Sequence, residues 1–318
     1  MPEGRRGKTT KLTTKQKAYI ALSATSIIWG TTWVASKIGV QKAPALEVAS
    51  IRQFIGGSLY VLFFIFIKKQ PLPTLKQLGW LTIMGILMFV SANGIATMAL
   101  KHISSGLGAL IAALYPLCVV LIEAIFFKNK NINFLTFIGI ILGIGGIAVV
   151  FYDNAFHSHT QGFALGVILS LIAMITWSIA TIFIARKKAD INPYYATGWQ
   201  MLTSSAILFS IVIITGDHIP LANIPAQTWG ALTYLILAGS IFTFVAFIYS
   251  MKHLEPAIAS LYAYINPIVA ILVGSLVVNE KLTFNILIGS VITLIGVYLV
   301  NRSMKQKQPM TSADADAM

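Results

Sequence analysis

The sequence predicts an all-α membrane protein of ten transmembrane helices, arranged as two inverted five-helix repeats. Three observations carry that expectation. The 318 residues are 57% hydrophobic and only 10% charged, with a mean hydropathy of +0.80, whereas soluble domains hold about 25% charged and 45–50% apolar residues. Ten apolar stretches of spanning length follow one another with short connections. Residues also recur at a nearly constant offset along the chain. So few charges could not cover this apolar surface in water, which excludes ordinary cytosolic enzymes, disordered scaffolds and secreted disulfide modules. The one cysteine, Cys118, cannot form an internal disulfide.

Residues 1–17 hold six basic residues and one acid. They look like a signal-peptide n-region, but the apolar stretch behind them is too long for an h-region and nine more follow. They therefore read as a basic cytoplasmic N-terminus before an uncleaved first helix. The first unit, 18–152, takes spans at 18–40, 47–67, 78–100, 104–127 and 133–152. The second, 162–301, takes 162–185, 193–215, 228–251, 257–278 and 284–301. Residues 302–318 form a short polar tail, expected to be disordered and cytoplasmic. No stretch shows the ten-residue alternation of an outer-membrane barrel strand.

A net charge of +13 would suit nucleic acid, but its placement points elsewhere. With the N-terminus inside, 18 of the 23 Lys and Arg fall in cytoplasmic segments; Lys37, Lys42, Lys101 and Lys281 fall outside, and Arg52 lies within a span. The positive-inside rule then sets both termini in the cytoplasm of a multi-pass inner-membrane protein, with a lipid bilayer and no nucleic acid as partner. Monomer and homodimer remain equally open.

The repeat is read residue by residue. Leu81-Thr82 matches Leu232-Thr233, Lys101-His102 matches Lys252-His253, and Pro116 matches Pro267, all 151 residues apart. The same offset pairs Gly79 with Gly230 and Gly145 with Gly296, while nearer the N-terminus it drifts to 148 for Trp29 and Trp177. Five spans per unit is an odd number, so the second unit enters the membrane from the opposite side. Inverted repeats of this kind are a device of transporters, which place a site between the halves near the midplane.

Trp29-Gly30-Thr31-Thr32-Trp33 followed by Lys37, with Pro44 and Arg52 in the next span, resembles the opening of EamA-type proteins of the drug/metabolite transporter superfamily. Lys252 to Ala257, Asn266-Pro267 and Asn279-Glu280-Lys281-Leu282 are similar to that family's closing repeat. The resemblance covers roughly residues 18–300. It implies ten helices in two inverted units, a central cavity, and export of amino acids or other small metabolites. The first repeat departs from the pattern at Phe127-Lys128-Asn129-Lys130, where the family usually has a glutamate.

Candidate functional residues follow from burial costs. Pro116 and Pro267 lack an amide hydrogen and clash with the carbonyls of Ala112 and Ala263, so the fourth and ninth helices are expected to kink as matched hinges. Carbonyls freed there are tolerable only against protein or a water-filled cavity. Ile111 and Tyr115 share a face, as do their repeat partners Tyr262 and Asn266. Asn93, the pair Trp29 and Thr32, and the pair Trp177 and Thr181 complete an expected substrate-binding cavity, aromatic with a few hydrogen-bonding groups. Two charges lie inside spans. Arg52 marks a substrate counter-charge, a structural ion pair or a snorkelling side chain, and Glu47 is not its evident partner. Glu123 is expected to pair with Lys128, and Lys37 to cap its own helix. With Glu123 as the carboxylate deepest in a span, weak or absent proton coupling is expected.

Catalysis finds little footing. His102, His157, His159, His218 and His253 fall in loops or at span ends without carboxylates or cysteine at metal-ligand spacing, so no metal is expected. Gly139, Gly143 and Gly146 lie within an apolar span and read as close helix packing, not as a phosphate loop. No cofactor is expected. The reading is a secondary transporter or facilitator that exports a small amphipathic metabolite by alternating access. A membrane enzyme or flippase acting on lipid-linked substrates, or a non-transporting sensor, are the alternatives.

Overall fold

The computed structural model describes residues 12–127, 133–153, 161–187, 190–254, 258 and 261–305. Every regular element among them is helical. In chain order they are α1 (Thr14–Val40), α2 (Ala45–Ile67), α3 (Leu75–Ala99), α4 (Ser105–Phe126), α5 (Phe134–Asp153), α6 (Phe163–Arg186), α7 (Pro193–Thr215), α8 (Ala226–His253), α9 (Tyr262–Val278) and α10 (Phe284–Lys305). Eight of these, α2 to α8 and α10, are long and apolar enough to cross a membrane.

Local sequence sets the helix ends. Thr13 with Gln16 and Thr74 with Gln77 form capping boxes that open α1 and α3. Asn192 caps α7 ahead of Pro193, where a missing amide hydrogen costs nothing. Gly216 ends α7 at φ +68°, a conformation glycine adopts freely.

The proline helices differ from expectation and from each other. α4 is broken, not kinked: it runs from Ser105 to Ala112, turns at Ala113 and Leu114, and restarts at Tyr115. Pro116 thus sits in the first turn of a new helix, which needs no N–H there. α9 instead holds Pro267 inside a continuous helix that starts at Tyr262, five residues later than the expected span.

Three helices contain π-helical stretches, at Phe63–Ile67 in α2, Ile86–Gly94 in α3 and Leu235–Phe242 in α8. These wide turns shift the hydrogen-bond ladder and recur at functional sites. Nothing in the apolar periodicity announced them.

Glycines bring neighbouring helices close. α5 lies against α10 with Gly139 facing Gly296 and Gly146 facing Gly289 and Thr293, while Gly143 turns its open side to Leu114 and Leu117 of α4; a Cβ on Gly296 would stand 2.5 Å from the Gly139 carbonyl and run into the Gly143 amide. Thr136 Oγ1 and Ser303 Oγ meet at 2.7 Å along the same seam. α2 and α7 approach through Gly57 and Gly198. Large side chains such as Phe134, Ile144, Phe284 and Val291 remain exposed on the flanks of α5 and α10, as a hydrocarbon surrounding permits.

Candidate functional site

A cavity of about 180 Å³ lies between α1, α2, α3, α4, α6, α8 and α9. It is smaller than the roughly 300–1,000 Å³ of drug-sized sites, so it suits a small solute. Seven of the nine residues expected to bind substrate line it: Trp29, Thr32, Asn93, Tyr115, Trp177, Tyr262 and Asn266. Ile111 and Thr181 do not.

The break in α4 explains Ile111. The segment before the break turns Gly108, Ala109 and Ala112 to the cavity, while Ile111 is fully buried in an apolar core with Leu110, Leu114 and Val167. The turn at Ala113 and Leu114 then reorients the chain, so Tyr115 reaches the cavity without sharing a helix face with Ile111. Thr181 lies one turn past the cavity's end. On α6 the lining runs from Ser170 to Trp177, and on α1 from Trp29 to Ser36. The space therefore extends C-terminally of Trp29 but N-terminally of Trp177.

Aromatic rings close one end. Trp29 meets Phe244, Phe247 and Tyr262 at centroid distances of 5.4, 4.9 and 5.4 Å, and Tyr115 stacks on Tyr262 at 6.4 Å. Leu22, Leu254 and Ala263 pack behind them toward the N-terminal end of α1. At the opposite end Leu100, almost fully buried, borders both this cavity and a depression of about 570 Å³ lined by Lys37, Lys42, Lys101 and Asp217.

Polar groups on α1 and α2 serve the π stretch of α8. Trp29 Nε1 donates to the Gly239 carbonyl at 3.2 Å. The Tyr60 hydroxyl is within bonding distance of the Ser240 and Ile241 carbonyls, at 3.2 and 3.0 Å. Arg52 Nε donates to Ser240 Oγ at 3.0 Å. In the π stretch of α3, Asn93 Oδ1 accepts from Gln53 Nε2 at 2.9 Å, which leaves the Asn93 amide nitrogen as what it can offer the cavity.

The described residues show how several of the charges pair. Glu47, 1% exposed, binds His218 Nδ1 at 2.6 Å and the Ile219 amide at 3.2 Å. Glu123 meets Arg186 at 3.5 Å; Lys128, its expected partner, lies outside the described residues. Both Glu123 and Arg186 are substantially exposed, and such pairs contribute about 0–1 kcal/mol. Lys37 stands in the last turn of α1, as expected, and also donates to the carbonyls of Leu100 and Ile103 beyond the end of α3, at 2.6 and 2.8 Å. Glu280 takes the Ser105 amide at 2.7 Å and its hydroxyl at 2.8 Å, neutralising the positive N-terminus of α4.

Sequence reasoning missed Trp33, Ser36, Phe89, Ser170 and Phe244 in the cavity wall. Trp33 was within reach, being one turn from Trp29 on the same face. Among the described residues no group of three His, Cys, Asp or Glu could hold a metal ion. His157 and His159 lie outside them.

The model of the EamA-like transporter family matches residues 16–152 and 164–302. The uncharacterized inner membrane transporter YedA of Escherichia coli (strain K12) is 30% identical over 266 residues, 83% of each chain. The uncharacterized transporter YoaV of Bacillus subtilis (strain 168) is 26% identical over 284 residues, covering 89% of this chain and 96% of its own. A solved crystal structure 17% identical, covering 92% of this chain and 99% of its own, shares the fold with a TM-score of 0.62.

Proposed function

The chain belongs to the EamA-like transporter family, and from that premise we propose that it moves a small amphipathic metabolite across the inner membrane by alternating access. In this reading it is a secondary transporter or facilitator, working as an exporter, with ten spans in two inverted five-helix units and both termini cytoplasmic. The observation that carries it is the central cavity: aromatic walls, a few hydrogen-bonding side chains, and a cluster of aromatic rings packed at one end. The substrate-binding set is Trp29, Thr32, Asn93, Tyr115, Trp177, Tyr262 and Asn266.

Two regularities support the inverted arrangement. The family matches start 148 residues apart, at 16 and 164. The π stretches of α3 and α8, Ile86–Gly94 and Leu235–Phe242, overlap when shifted by the 151-residue offset. No carboxylate lines the cavity among the described residues, which favours a facilitator or exchanger over a proton-driven pump.

The test is flux into sealed proteoliposomes across amino acids, organic cations and sugars, by counterflow. Saturable counterflow of at least one small solute is the expected result. No flux of any solute from correctly inserted protein would overturn the transporter reading. An imposed pH gradient that drives uphill accumulation would overturn the uncoupled one.

A further inference from the structure

We propose that Arg52 is the specificity determinant of the cavity, a fixed cation that receives a carboxylate or similar singly charged oxyanion group of the solute. This deepens the transporter reading and rests on it.

The argument starts from what Arg52 lacks. Its side chain is 8% exposed and lines the cavity. A guanidinium keeps its charge at any ordinary pH and carries five donors in a planar fork. Only Nε has a partner among the described residues, the Ser240 hydroxyl. No carboxylate comes within 4 Å of it among those residues. The acids that could have served are engaged: Glu47 with His218 and the Ile219 amide, Glu123 with Arg186, Glu280 with Ser105. The nearby carbonyls of Gly239, Ser240 and Ile241 accept from Trp29 and Tyr60, and a neutral carbonyl supplies no counter-charge. A cation sequestered from bulk water without a counter-charge is costly. Among the described residues no group supplies that charge, which leaves the cavity to supply it.

The same cavity wall shows a complementary lack. Among the described residues, Ser170 Oγ and the side-chain Oδ1 of Asn266 are buried without a hydrogen-bond partner, and both residues line the space. The amide oxygen can only accept, so it calls for a donor, and the hydroxyl can take either role. The wall thus fits a small acid that also carries an N–H or O–H. It disfavours a solute whose only charge is positive, since that charge would face Arg52.

The experiment measures thermal unfolding of the detergent-solubilised full chain, alone and with phenylalanine, 3-phenyllactate and phenethylamine. The three share one skeleton and differ in carboxylate and amine. The expected result is stabilisation by the two carboxylates and none by phenethylamine. Arg52→Gln should lose that stabilisation while unfolding, without solute, at a temperature equal to or above that of the parent. Arg52→Lys should recover the preference for acids more weakly, lacking the planar fork.

Stabilisation by phenethylamine as strong as by the acids would overturn the proposal, as would no stabilisation by either carboxylate. So would solute-free Arg52→Gln unfolding several degrees earlier, because that is the mark of a structural arginine. Counterflow separates the two readings. A protein that transports phenethylamine but neither acid keeps the transporter reading and sinks this one, whereas acid binding without any flux does the reverse.

Discussion

Two helix pairs show how differently one chain can use small residues and breaks. α5 and α10 are continuous helices joined by glycine contacts, and neither contributes a residue to the cavity. α4 and α9 are the proline helices, one interrupted at Ala113 and Leu114, the other carrying Pro267 in mid-course, and both line it. The first pair gains stability by close approach at seam positions where a Cβ would not fit. The second gives up helix regularity where the cavity needs wall residues and freed backbone groups. The framework and the working surface are therefore built from separate helices, and movement is expected in the second pair only.

The sharpest way to break this comparison is to spoil the seam. Gly296→Leu drives a side chain into the backbone of Gly139 and Gly143. Overpacking of this kind costs typically 1–3 kcal/mol, occasionally more. The expected outcome is a large fall in membrane abundance and unfolding temperature, with unchanged flux per surviving molecule. Normal abundance would mean that the seam can open.

Next comes Pro267→Ala. It restores an amide that can bond the Ala263 carbonyl inside a continuous helix, so α9 should straighten beside Asn266. Abundance should stay normal while counterflow falls severalfold. Pro116→Ala should do much less, since Pro116 occupies a first turn where no hydrogen bond is missing. Equal losses of flux in the two variants would return the prolines to the symmetric hinge role that the sequence suggested.

The smallest effect has the opposite sign. Gly145 sits on α5 between Gly143 and Gly146, yet a Cβ there meets nothing within 4 Å. Gly145→Ala should therefore be neutral or stabilise by up to about 1 kcal/mol, the helix propensity difference. Measurable destabilisation would show that the open face of α5 is covered by a neighbour in the membrane.

This contrast also explains what could be read from the sequence. The seam glycines were legible because close packing in hydrocarbon demands small residues at regular spacing. The aromatic residues on repeated helices were legible because their positions recur. Ile111 and Thr181 were misplaced for a geometric reason: one-turn spacing implies a shared face only along an unbroken helix, and only as far as the cavity extends. The partnerships of Glu47 with His218 and of Glu280 with Ser105 join residues 171 and 175 positions apart. No local pattern encodes such a distance. The π stretches left no mark either, since one extra residue per turn barely disturbs a stretch that is apolar all round.

The polar side chains of α2 have a consequence for biogenesis. Arg52 meets Ser240 188 residues downstream, and Glu47 meets His218 171 residues downstream. At about 5–20 residues per second of synthesis, α2 waits on the order of ten to forty seconds before either partner emerges. An arginine at the centre of an inserting helix opposes insertion by about 2.5–3.5 kcal/mol, and Arg52, about a third of the way along the 23-residue α2, meets part of that cost. The nascent α2 must therefore rest against the translocon or reach headgroup water until α7 and α8 arrive. The two halves of the chain, though each repeats the other, mature as a single unit whose completion is timed by its second half.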